Sequence, residues 1–197
     1  MSDLTITHAG IAVTRSSDSP GSSLSTGKSK IIRVTPACTT SALGSSKDVI
    51  FNSAEIPNAV KEDGGTSKLI EAYVIDYTGS LNDLVVIFHE VSGIDLGPTD
   101  SSDVVNINEA NLRLLKVTGS LQVDADEKDT NLGSYNLINF DGMGLTGGSA
   151  TEGPISQCPQ LLQAAEGKTS AYFSAMTMTA ETFAADSLEF IFHIEYL

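Results

Sequence analysis

Residues 187–197 read SLEFIFHIEYL, and within them Leu188, Phe190, Phe192, Ile194 and Tyr196 alternate with Glu189, His193 and Glu195. A period of two held over nine residues has no helical equivalent, because a helix repeats every 3.6 residues. The segment predicts a strand with one face in a core and the other toward water. The same pattern recurs upstream. Residues 67–78 (SKLIEAYVIDYT) and 84–91 (LVVIFHEV) predict a strong strand pair, and the five residues Gly79 to Asp83 between them suit a hairpin loop. Residues 169–180 and 187–197 predict a last strand pair. Shorter strands are expected at 4–14, 31–41, 47–52, 114–124 and 134–140, with Pro36 demoting the middle of 31–41 to an edge or bulge.

Helix is scarce. Only residues 107–113 (INEANLR) carry a helical signal, with Asn108 placed to cap a turn or two beginning at Glu109. With eight to ten strands and no βαβ crossover, the connections require antiparallel pairing. The predicted fold is all-β: an antiparallel, jelly-roll-like β-sandwich with long loops. Residues 15–30 (RSSDSPGSSLSTGKSK) are polar, so residues 1–30 are expected to form an N-terminal strand and arm, and residues 31–197 the sandwich domain.

Composition supports this. The chain has 197 residues, with 24 Ser, 18 Thr and 17 Gly, while only 18% are charged. Surface helices carry Glu, Lys and Arg; a hydroxyl-rich surface goes with strands. The 11 Lys and Arg against 25 Asp and Glu leave a net charge of −14, which argues against nucleic acid and against anionic membranes as partners. No apolar run approaches a membrane span, and the N-terminus lacks a basic and apolar leader pattern, so synthesis in a cytoplasm without standard export is expected.

Several local patterns suggest chemistry and fall short of it. Gly142 to Gly147 matches GxGxxG, but the following GSATEGP cannot begin the helix that would hold a pyrophosphate. Asp124, Asp126 and Asp129 are spaced like a calcium loop, yet Asp129 and Tyr135 occupy the positions that need Gly and Glu. His8, His89 and His193 lie on separate strands and form a metal site only if three groups converge. Cys38 and Cys158 have no CxxC partner, so two reduced structural thiols are expected. There is no Gly-x-Ser-x-Gly elbow. No catalytic, cofactor or metal residues are therefore assigned, and the chain is not read as an enzyme. With no Trp and five Tyr, stacking on sugars is poorly provided for.

From Gly64 onward, the order of features resembles a family of small all-β virion proteins of tailed bacteriophages. The carriers are Gly64-Gly65-Thr66, Leu69, the strand ending Val74-Ile75-Asp76, Leu84 to Phe88, Ile107 to Leu112, Val117 to Leu121, and the closing Glu195-Tyr196-Leu197. The likeness covers about two thirds of the chain, and Asn stands at positions 108 and 111 where the family has Asp. It implies a capsid decoration, or cement, protein on the head exterior. The implied partners are the major capsid protein and further copies of the chain in a homotrimer. It implies no catalytic residues. Arg15, Lys28, Lys30 and Arg33 are then candidates for contact with acidic partners, and Leu24 for anchoring the arm. The alternatives are a head-fibre or tail protein, or a carbohydrate-binding β-sandwich module contacting the host surface.

Overall fold

A computed structural model describes residues 29–44, 48–78, 84–99, 108–122, 160–178 and 180–197 in full. Of residues 4–8, 11–15, 123, 130–131 and 136–139 it describes the backbone. Leu4–His8 (β1) pairs with Ile11–Arg15 (β2) in a two-stranded antiparallel sheet. Ser29–Val34 (β3), Val49–Ile56 (β4), Thr66–Asp76 (β5) and Leu84–His89 (β6) follow. The helix Glu109–Leu115 (α1) leads into Val117–Val123 (β7). The chain then forms Thr130–Asn131 (β8), Asn136–Asn139 (β9), Gln160–Gln163 (β10), Ala171–Thr177 (β11) and Leu188–Tyr196 (β12).

The pairing is nested. β3 pairs with β12, β4 with β11, β5 with β9 and β10, and β6 with β7. In addition β12 pairs with β5, and β11 with β6. This is a long hairpin, bent near α1 and rolled so that its strands alternate between two sheets. Those sheets run β4-β11-β6-β7 and β3-β12-β5-β9-β8, with β10 beside β5. Every pairing is antiparallel, and the strand order is that of a jelly roll, so the expected fold class stands.

β9 and β10 share one job. β9 lies opposite Tyr73 to Asp76 and β10 opposite Thr66 to Leu69, along the same edge of β5. They are two halves of one strand, parted by residues 140–159.

The pattern alone misled on connections. β5 and β6 are not a hairpin, nor are β11 and β12, since the members of each couple lie in opposite sheets. A short loop can turn back beside its strand or cross the roughly 10 Å between sheets, and spacing does not distinguish the two. Residues 4–14 are two strands rather than one. β3 stops at Val34, two residues before Pro36, whose missing N–H ends the ladder.

The core lies between the sheets. Alternate residues of β12 (Leu188, Phe190, Phe192, Ile194) meet Phe51, Phe88, Phe173 and Leu121 from the other sheet. Phe173 stands at the centre, with edge-to-face contacts to Phe51 at 5.3 Å and to Phe190 and Phe192 at 5.1 Å. A smaller core covers the outer face of the four-stranded sheet. Val49 and Ile87 pack there under Leu96 and Leu115, and α1 supplies the cover. Asn108 caps that helix as expected, its side chain accepting from the Ala110 and Asn111 amides at 3.0 and 3.3 Å.

Candidate functional site

The outer face of the six-stranded sheet is where side chains gather that the core does not use. On β12, burying Phe190, Phe192 and Ile194 leaves Glu189, Ile191, His193 and Glu195 on the other face. The flanking strands present Ile31 and Arg33 from β3, and Lys68, Tyr73 and Ile75 from β5. The ladder is interrupted once: His193 pairs with Glu71 and Ile194 with Leu69, so Ile70 is an extra residue. This bulge leaves Ile70 exposed next to the His193–Glu71 pair.

Two polar clusters cross the face. In one, His193 Nδ1 lies 3.0 Å from Glu71 Oε2, Tyr73 donates its hydroxyl to the same oxygen at 3.3 Å, and the Tyr73 ring meets the imidazole edge-on at 5.7 Å. In the other, Arg33 Nη1 donates to Glu189 Oε1 at 2.9 Å, and the Tyr77 hydroxyl donates to Oε2 at 2.5 Å. The tyrosine bond, helped by Arg33, outweighs partial burial and holds the Glu189 carboxyl below its ordinary pKa. Within and beside these clusters Ile31, Ile70 and Tyr77 are 60%, 41% and 42% exposed. A groove of about 420 Å³ runs past Ser29, Lys30, Ile31, Ile70 and His193. Exposed apolar side chains beside exchangeable ion pairs suit contact with another protein surface.

A second, more apolar groove of about 350 Å³ lies on the opposite sheet, between Leu112 of α1 and Val85, Val117 and Met176.

A Ser–His pair also exists, and its surroundings define its role. His89 Nε2 lies 3.0 Å from Ser174 Oγ, and Nδ1 lies 2.9 Å from the Val91 carbonyl. A carbonyl only accepts, so Nδ1 carries the proton, and Nε2 accepts from the Ser174 hydroxyl. The serine oxygen in turn accepts the Ser53 amide at 3.1 Å. Burial pushes the His89 pKa down, which keeps the ring neutral and this arrangement satisfied. Both side chains are fully buried, so no substrate reaches the hydroxyl. The pair ties β4, β6 and β11 together.

The histidines do not converge. His89 is buried behind the four-stranded sheet, His193 is on the outer face of the six-stranded one, and His8 is placed by its backbone in β1. Among the described residues no three of His, Cys, Asp and Glu gather at metal-binding distance. Nor, among them, is any helix long and apolar enough to cross a membrane. Asp124, Asp126, Asp129, the GxGxxG segment, Leu24, Lys28 and Cys158 lie outside the described residues. Cys38 is a buried free thiol whose pKa burial raises to about 11. Of the cations singled out, Arg15 is placed by its backbone at the end of β2, Lys30 lines the groove, and Arg33 is held by Glu189. Glu71, Glu189 and Tyr77 were not singled out from the sequence, though their outward strand positions were a usable signal.

No protein-family model matches the chain, and no curated protein matches its sequence significantly.

Proposed function

We propose that this chain is a structural virion protein: a capsid decoration, or cement, protein on the head exterior of a tailed bacteriophage. It bridges subunits of the major capsid protein and acts as a homotrimer. The observation that carries this reading is the outer face of the six-stranded sheet, where Ile31, Ile70 and Tyr77 stand exposed beside two polar side-chain clusters. Such a face supports joining a neighbour in an assembly. The family likeness from Gly64 onward points the same way.

The charge fits the same role. A net −14 keeps free copies apart before assembly. On a lattice, individually weak contacts add through repetition. The test is to purify particles by density gradient and quantify the chain against the major capsid protein by mass spectrometry. A fixed stoichiometric ratio that survives washing is expected; particles devoid of the chain overturn the proposal.

A further inference from the structure

The outer face of the six-stranded sheet differs from the rest of the molecule in charge. It carries Arg33 and Lys68, with Lys30 at its groove, against Glu71, Glu189 and Glu195. The other eight cations and twenty-two acids hold the whole net charge of −14. Two copies therefore repel over most of their surfaces and meet without net repulsion on this face.

The order of charges on the face is a second observation. β12 and β5 place Glu195 opposite Lys68, and His193 opposite Glu71. Glu195 and Lys68 make no ion pair with each other or with another described residue. A two-fold axis running along the strands, midway between β12 and β5, sets the β12 of each copy over the β5 of the other. Glu195 of each copy then lies over Lys68 of the other, and His193 over Glu71. β3 comes to lie over the other copy's β9–β10 edge, which brings the exposed Ile31 near the exposed Leu161. Such self-complementarity is what an isologous contact requires.

The chain's own segments do not answer this pattern. β1 and β2 contain no carboxylate to meet Lys68, and residues 140–159 contain no cation to meet Glu195. Size points to a folded body as well. The 9 residues of β12 run about 30 Å, and β3, β12, β5 and the β9–β10 edge are together about 20 Å wide. That is roughly 600 Å² from each copy, about where specific interfaces begin.

We propose that two copies of the chain pair face to face through the outer surfaces of their six-stranded sheets, about a two-fold axis between β12 and β5. This deepens the assembly reading, and rests on it only in taking this face as a contact surface. The contact is separate from the threefold one of the trimer; together the two make six copies.

The test uses the purified full-length chain without particles, so its outcome is independent of recovery on virions. Sedimentation equilibrium should give two chains, or six where the trimer also forms. Lys68→Glu sets a like charge over Glu195, and Glu195→Lys sets one over Lys68. Each should weaken pairing roughly 100-fold and halve the mass. Mixing the two single variants should restore the paired mass, because each crossing of positions 68 and 195 then joins opposite charges. A wild type of one or three chains, variants that keep the full mass, or a mixture that stays at half of it overturns the proposal.

Discussion

Ser174 and His89 show how a pair with catalytic geometry serves stability when it is buried. The neutral imidazole satisfies one carbonyl and one hydroxyl, and the hydroxyl satisfies a strand amide. Protonation would turn Nε2 into a donor and strand the serine proton, which adds to the cost of charging a buried ring. The pH dependence follows. The folded pKa lies below 6.5, so between the two values the unfolded chain binds more protons. Stability is therefore full above about pH 6.5 and falls as pH drops through that window, by up to ~1.4 kcal/mol per pH unit. Urea unfolding from pH 7.5 to 5 should show this loss. His89→Gln should be less stable at neutral pH and should flatten the profile there. An unchanged slope in the variant would place the effect elsewhere.

At the scale of elements, the period of two was the most informative signal. It showed which side of β12 is buried, because each of Leu188, Phe190, Phe192 and Ile194 had to find apolar cover. The cap of α1 was equally legible, since Asn followed by Glu-Ala-Asn is a local signal that needs no tertiary context. The Ile70 bulge was not legible. It arises from how β5 pairs with β12, and it adds Ile70 to the exposed face beside the His193–Glu71 pair. The candidate face was thus half readable: Arg33 and Lys30 as cations, but not Glu189 as the carboxylate that meets Arg33. The far end of α1 holds a different cost. Lys116 ends the helix in the left-handed region, at φ 53° and ψ 68°. A side chain is strained there and glycine is not. Lys116→Gly should raise stability by about 0.5–1 kcal/mol, read as a higher thermal midpoint. The lost exposed pair with Glu90, at 3.4 Å, offsets little of it.

For the molecule as a whole, the divided strand opposite β5 bears on design. β9 ends opposite Tyr73 and β10 begins opposite Leu69, so only Ile70, Glu71 and Ala72 lie between them. Replacing residues 140–159 with three strand-forming residues should leave the jelly roll intact. Closing a shorter loop should add roughly 1–2 kcal/mol, checked by the denaturation midpoint; loss of cooperative unfolding would count against the two halves forming one strand. The nesting of the strands has its own effect on biogenesis. β3 pairs with β12 along Val34↔Phe190 to Ser29↔Glu195, so the beginning of the body waits for its end. A ribosome delivers β12 after the other described strands, and until then β3 and β5 lack the neighbour that joins them. This sheet therefore cannot be completed until β12 has left the ribosome, and a product lacking residues 188–196 lacks the strand that joins β3 to β5.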